Sequence, residues 1–353
     1  MKKFIIGSLI FLIGNTTFTF ANESNIWYRF DKKDLVGFKD SNGNIKIKPS
    51  FTQFITVRKF DKIMAVMEDK NNKYESYYLT KSGKKIKVDM FMIDNTFDCE
   101  REGFIRFKSG AKLGLLNENG DISIPPIYDN LSNVNNNLLY ALEGATRKKD
   151  GEYTLLTGGI SKLIDTKNNV LIEKIEYMDE NINLYSIIEE KEGYQKSEIR
   201  DYFKGKNEKI YSFINYEKEF KQWFDSITKE ELKSNMIRQY LHRDFTYIKE
   251  DKNFIFTKKD KINPKLLNQI SDALNNINHK GTDYFVSLAS SYRDNDKKID
   301  KKLDNCGTYM IEKYPDIEIR VNLINKKGEH YQNSYSFIKV KNGYQLLGMT
   351  IRI

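Results

Sequence analysis

The feature that most constrains this 353-residue chain is a hairpin signal that returns about every forty residues. Four segments share it: Val36–Ile45, Tyr77–Ile86, Leu113–Ile122 and Lys162–Leu171. In each, a short apolar or aromatic run meets a polar turn carrying Gly or Asn, and a second apolar run follows. Asn-Gly, Ser-Gly and Asn-Asn supply the positive φ angles that tight hairpin turns need, and apolar alternation on either side gives each hairpin one face to bury. The turn residues Gly43, Gly83, Gly120 and Asn169 stand 40, 37 and 49 residues apart, and a weaker fifth copy lies at Tyr202–Asn207. A unit of this size cannot bury its apolar face alone, so neighbours must stack into a continuous core. An ordinary antiparallel sandwich with coincidental turn spacing is the alternative.

These units resemble WG repeats, bacterial modules in which a Trp-Gly or similar pair opens a strand, a glycine turn follows, and the next strand runs into a proline-tyrosine stretch. The third unit, Lys112-Leu113-Gly114-Leu115 through Gly120 to Pro125-Pro126-Ile127-Tyr128, is similar to that pattern with Leu in the Trp place. The first unit, through Ile45-Lys46-Ile47-Lys48-Pro49, is a second copy. The likeness covers roughly residues 25–212. It lacks the Trp throughout, since Trp27 precedes the first unit and Trp223 follows the array. The resemblance implies an interaction scaffold, and a long repetitive surface suits recognition of another macromolecule better than catalysis.

Turn signals fade near residue 216. Phe220, Trp223, Phe224 and Ile227 recur at helical spacing, as do Leu232, Met236, Tyr240 and Leu241, which predicts helices over Glu217–Phe245 with a capping box at Thr228 and Glu231 between them. A third helix is expected from Pro264 with Asn263 as N-cap. Strands follow at Tyr284–Tyr292, Gly307–Lys313, Ile317–Ile324, Tyr331–Lys341 and Tyr344–Ile353, with Asn342-Gly343 as a hairpin turn. This order, closing on the Ser336–Met349 hairpin, resembles the nuclear-transport-factor-like cone. A cystatin-like arrangement satisfies the same order. The fold class expected is therefore a mainly β N-terminal array of hairpin repeats, residues 22–216, plus a C-terminal α+β domain, residues 217–353, with helices packed on an antiparallel meander.

Residues 1–21 read as a signal peptide. Lys2 and Lys3 precede an apolar stretch from Phe4 to Gly14, and Thr19-Phe20-Ala21 places small residues where a signal peptidase reads them, so cleavage is expected after Ala21. The stretch is short of the ~20 apolar residues that span a bilayer, and no integral membrane segment is expected after cleavage; an uncleaved anchor is the competing reading. The expected location is the periplasm or the exterior. An oxidising compartment permits a disulfide, and the two cysteines, Cys99 and Cys306, stand in different predicted domains, where a bridge would staple the two together. Two separately buried thiols are the alternative.

The formal charge of +9 divides unevenly: residues 22–216 carry 31 basic against 30 acidic side chains, residues 217–353 carry 25 against 19. Lys297, Lys298, Lys301 and Lys302 form one basic run and Lys258, Lys259 and Lys261 another. Such runs are a solvated surface, or they steer an acidic partner toward the C-terminal half. The expected partner is another protein, acidic if these runs are used, and export disfavours nucleic acid.

Chemistry-bearing motifs are sparse. Matches to S-x-x-K lack the accompanying elements of penicillin-recognising enzymes. No H-E-x-x-H, G-x-S-x-G, phosphate loop or dinucleotide fingerprint occurs. Asp294, Asp296 and Asp300 are interrupted by lysines that would repel a cation. No cofactor, metal or catalytic residue is expected. The reading that follows is an exported, non-enzymatic protein-binding scaffold, in one version an immunity or accessory factor for a periplasmic effector. The alternative is a small-molecule-binding or hydrolytic C-terminal domain with a pocket at His242, Arg243, Asp244 and Tyr247, which bunch near the predicted end of the second helix; a helix end whose basic side chains complement the helix dipole is the simpler account of them. Amino-terminal sequencing of the exported protein should begin at Asn22, and retention of Met1 would overturn the export reading.

Overall fold

The structure, a computed structural model, describes residues 25–352 except 152, 250–252, 257–258, 260–261, 278–282, 291–298 and 325–327. The predicted signal segment, His279, Lys258, Lys261, Lys297, Lys298, Asp294 and Asp296 lie outside the described residues. Among the described residues the chain is mostly strands in antiparallel sheets, with three α-helices confined to its C-terminal part.

One five-residue turn recurs through the N-terminal part. At Asp40–Asn44 the amide of the first residue donates to the carbonyl of the fifth, and the amide of the fourth, Gly43, donates back to the first, both at 3.0 Å. The same pair of bonds closes Thr80–Lys84, Asn117–Asp121, Asp165–Asn169 and Gly205–Lys209. Position four lies at positive φ in every copy: Gly43 at 87°, Gly83 at 87°, Gly120 at 71°, Asn168 at 67° and Glu208 at 65°. Position one caps the turn where its side chain permits. Asp40 Oδ1 accepts from the amides of Asn42 and Asn44, Asn117 Oδ1 from Asn119 and Asp121, and Asp165 Oδ1 from Lys167 and Asn169. This is the three-residue hairpin loop in which a left-handed residue completes the reversal. Two details differ from the sequence reading. The left-handed residue of the fourth unit is Asn168 rather than Asn169, and the fifth turn is completed by Glu208, one residue beyond the predicted Asn207.

Gly37 and Gly114 explain why a glycine precedes two of these turns. Each sits where the following strand bulges toward it, opposite an aromatic ring on the preceding strand: Phe30 pairs with Gly37 and Phe107 with Gly114. A Cβ at Gly114 would fall 2.6 Å from Phe107 Cε1 and 2.7 Å from the Ile124 carbonyl oxygen. In the fourth unit a separate, exposed hairpin of Thr146–Asp150 and Tyr153–Thr157 is inserted ahead of the repeated turn, which accounts for the longer spacing there.

From the third unit on, units stack by laying the turn against the third strand of the unit before. A Cβ at Gly120 would meet Ile86 Cδ1 at 2.4 Å, and Lys84 Nζ reaches the Asn119 carbonyl at 3.1 Å. Tyr128 OH donates to Asn168 Oδ1 at 2.7 Å, and Lys206 N donates to the Leu171 carbonyl at 2.9 Å. The cores follow the same rule. One buried cluster draws Phe38, Phe51, Tyr78, Phe107 and Leu116 from three successive units, and two more continue along the chain through Leu115, Leu139 and Ile164 and through Tyr140, Leu163 and Phe213.

A buried ion pair ties three units at one point. Arg106 Nη2 and Nε donate to the two oxygens of Asp98 at 2.5 and 3.0 Å, Arg106 Nη1 donates to the Leu131 carbonyl at 2.8 Å, and Tyr78 OH donates to the Arg106 carbonyl at 2.7 Å. Burial alone would lower the affinity of Arg106 for its proton, and the adjacent Asp98 more than compensates.

C-terminal to the array, α1 (Tyr216–Thr228), α2 (Ser234–Tyr240) and α3 (Pro264–Ile277) pack on a six-stranded sheet in the order 253–256, 241–249, 343–351, 330–340, 316–324, 283–289. Asn215 caps α1 through Lys218 N, and Asn263 Oδ1 accepts from Leu266 N as predicted for α3. Phe220 stacks its edge against Phe337 and Tyr344 at 5.1 and 5.0 Å, and with Leu267, Ile270 and Leu274 of α3 closes one core. Gly343, at φ 102°, leaves room for Trp223, whose Nε1 would lie 2.2 Å from a Cβ.

Three expectations are corrected here. The helices do not run to Phe245: α2 stops at Tyr240 and residues 241–249 form a strand. That strand pairs in parallel with 343–351, so the sheet is not a pure antiparallel meander. Thr228 donates to the Phe224 carbonyl inside α1 instead of starting a capping box. Replacing Asp98 with alanine would leave the Arg106 charge buried and unpaired, and should cost about 3–5 kcal/mol in urea unfolding; Asp31→Ala, which removes an exposed partner of Arg29, should cost no more than about 1 kcal/mol.

Candidate functional site

Asp304-Asn305-Cys306-Gly307-Thr308 repeats the turn of the array. Asp304 N donates to the Thr308 carbonyl at 2.8 Å, Gly307 N donates to the Asp304 carbonyl at 3.1 Å, Gly307 lies at φ 91°, and Asp304 Oδ1 accepts from Cys306 N and Thr308 N. This sixth copy belongs to the connection between strands 283–289 and 316–324 of the C-terminal sheet, yet it docks on the array. The predicted strand Gly307–Lys313 is therefore a set of turns, with only an isolated Leu303–Tyr309 bridge.

Docking is dense. Arg58 N and Lys59 N both donate to the Asn305 carbonyl, at 2.8 and 3.0 Å, and Lys59 Nζ meets the Asp300 carboxylate at 2.7 Å. The Arg58 guanidinium lies over Gly307, where a Cβ would be 2.7 Å from it, so both its φ and the close approach favour glycine here. Cys99 and Cys306 are joined by a disulfide across 207 residues of chain. The neighbours of Cys99 extend the contact: Arg101 lies 3.4 Å from Asp304 and 3.6 Å from Glu312, and Glu100 accepts from Gly103 N at 2.5 Å and from the Asn305 side-chain amide. Tyr216 OH, at the start of α1, donates to the Glu312 carbonyl at 3.0 Å.

Cys99, Asp304 and Cys306 place one sulfur or oxygen each within 4.8 Å of one another. Both sulfurs are consumed in the bond and Asp304 is held by two amides and Arg101, so the trio offers no thiolate ligand in this oxidised form.

Glu100, within the contact, has a displaced affinity for its proton. Burial is the largest influence and the charge of Asp61 adds to it, outweighing the donors on its oxygens and the nearby Arg101, and the group is pushed up to about 7.

The residues His242, Arg243, Asp244 and Tyr247 are not brought together in one cavity. They lie on a strand, where five steps along 241–246 match two along 346–348, so 242–245 loop out of register. Arg243 Nε donates to Asp244 Oδ2 at 2.9 Å and Asp244 N donates to His242 Nδ1 at 3.2 Å, on an exposed edge, while Tyr247 is buried in the core with Phe245 and Leu241.

No protein-family model matches the chain, and no curated protein matches it. Solved structures with NTF2-like folds align with about a third of it. A protein titled "Rd1NTF2_05 with long sheet" is 9% identical over 37% of this chain and 90% of its own, with a TM-score of 0.22. An NTF-2-like protein of unknown function from Silicibacter pomeroyi is 5% identical over 37% and 87%, with a TM-score of 0.18. One from Cytophaga hutchinsonii is 10% identical over 38% and 97%, with a TM-score of 0.18.

The raised Glu100 sets a pH dependence of known sign. A carboxyl whose folded affinity exceeds its unfolded one binds more protons in the native state between the ordinary value of 4.5 and about 7. Stability should therefore fall as pH rises through that window and then level off. Glu100→Gln, whose neutral amide can be met by a rotated Asn305 side chain, should flatten this slope in urea unfolding at pH 5, 6, 7 and 8; an unchanged slope would refute the assignment.

Proposed function

We propose that this chain is an exported, non-enzymatic protein-binding scaffold, organised as a WG-like repeat array over residues 22–216 and a nuclear-transport-factor-like α+β domain over residues 217–353. The observation that carries this reading is the succession of five equivalent turns in the array, the third, fourth and fifth of them laid on the unit before, which repeats one short motif along the chain. Ile45 and Ile122, each directly following a repeated turn, are both exposed at 58%, so equivalent places in two units carry an exposed apolar group. Export is supported by the N-terminal signal pattern and by a disulfide that suits an oxidising compartment. The helices lie against one face of the C-terminal sheet in the element order of a cone, which supports the second half of the proposal.

In this reading the array supplies the contact surface and the C-terminal domain braces it. The partner is another protein of the same compartment, and a secreted or periplasmic effector neutralised by this chain is the specific version we favour. Immobilised mature protein should retain one saturable partner from a periplasmic extract of the native cell, and exposed-face substitutions at Ile45 and Ile122 to Asp should release it while leaving the free energy of urea unfolding within about 0.5 kcal/mol of wild type. Failure to retain any saturable partner, or retention unaffected by these substitutions, would overturn the reading.

A further inference from the structure

A cavity of about 500 Å³ opens where the first two units meet, walled by Asp34, Thr52, Phe54, Met67, Asp69 and Tyr74. Two tight turns form its rim: Lys33-Asp34, at φ 49° and 60°, and Asn71-Asn72, at φ 58° and 64°. Its chemistry is uneven. The aromatic rings of Phe54 and Tyr74 are 46% and 69% exposed, Met67 adds a thioether, and the charged residues on the wall are both carboxylates. Thr52 Oγ1 is buried and makes no hydrogen bond.

The third unit shows what this place accommodates. Val36 pairs with Phe51 as Leu113 pairs with Tyr128, so Leu35 and Thr52 of the first unit correspond to Lys112 and Asp129 of the third. There Lys112 Nζ sits 2.6 Å from Asp129 Oδ1, an ammonium of this chain seated between strands. At the first unit the lysine is replaced by Leu35, while Asp34 and Asp69 both line the aromatic-rimmed space.

We propose that this cavity receives an arginine side chain of the protein partner, an inference that rests on the scaffold reading and locates one contact within it. The guanidinium stacks on aromatic faces and offers five donors in a fixed fork, enough to meet two separated carboxylates, while its three-carbon stem suits the Leu35 and Met67 wall. Charge complementarity selects a cation here although the chain as a whole is basic.

The test is an NMR titration of the mature protein carrying 13C-methyl methionine, with the Met67 signal assigned through Met67→Leu. N-acetyl-arginine amide should shift the Met67 methyl saturably, and N-acetyl-citrulline amide, neutral and of nearly the same shape, should bind about fivefold or more weakly. The double variant Asp34→Asn, Asp69→Asn should lose the preference for arginine. Asn tolerates the left-handed backbone at position 34 and preserves the acceptor that Asp69 Oδ1 offers to Asn72 N at 2.8 Å, so unchanged signals from the other methionines verify the fold. No shift at Met67, equal shifts from citrulline, or an unaltered preference in the double variant would each overturn the proposal. If the partner is still retained by immobilised protein in that event, the scaffold reading survives and only the cavity assignment falls.

Discussion

The left-handed residue at position four of a five-residue turn is the constraint on which the array depends. Few side chains tolerate positive φ without cost, so Gly or Asn fills this place in four of the five array copies, and Glu208 is the exception. Once the turn closes, its capping Asp, Asn or Thr satisfies amides that would otherwise need water. The reversal then fixes which residues of the next strand face inward. From that register follow the bulge over Gly37 and Gly114, the seating of the third, fourth and fifth turns on the preceding unit, and the shared core clusters. The buried Asp98–Arg106 pair adds specificity at the centre, where a guanidinium satisfied on both sides admits a single arrangement of three neighbouring units.

The C-terminal domain uses this same geometry to attach itself. Its sheet and helices close their own core, but the connection before strand 316–324 carries the sixth turn, and that turn enters the array as another unit would. Polar groups dominate the contact: backbone amides of Arg58 and Lys59 on Asn305, Arg101 against Asp304 and Glu312, and Glu100 on the Asn305 side chain. Such contacts are directional and individually modest. The disulfide removes the option of separation, so weak contacts suffice to set orientation.

Much of this was legible in the sequence because the signals were local. Turn chemistry exposed the hairpins, Asn263 and Pro264 marked α3, and Asn342-Gly343 marked the last hairpin. Periodicity failed where two elements shared a pattern: Tyr240 and Leu241 continue the helical spacing of α2, yet Leu241 already belongs to a strand whose partner lies a hundred residues on. That error also misplaced His242, Arg243 and Asp244, which read as a helix end and stand on a looped-out stretch of strand. The sixth turn escaped notice for a different reason. Asp304-Asn305-Cys306-Gly307-Thr308 matches Asp40-Ser41-Asn42-Gly43-Asn44 in its capping acid and its glycine, but no apolar strands flank it. The cavity at Asp34 and Asp69 arises from residues 35 positions apart that only stacking brings together.

The bridge between Cys99 and Cys306 also bears on how the chain matures. With two cysteines, a single molecule has one possible pairing, so there is no incorrect internal isomer to reshuffle and an oxidant is sufficient. The cost is borne in time. Cys99 must remain a thiol until the last quarter of the chain has built the turn that carries its partner, and throughout that interval any disulfide it forms joins it to another molecule.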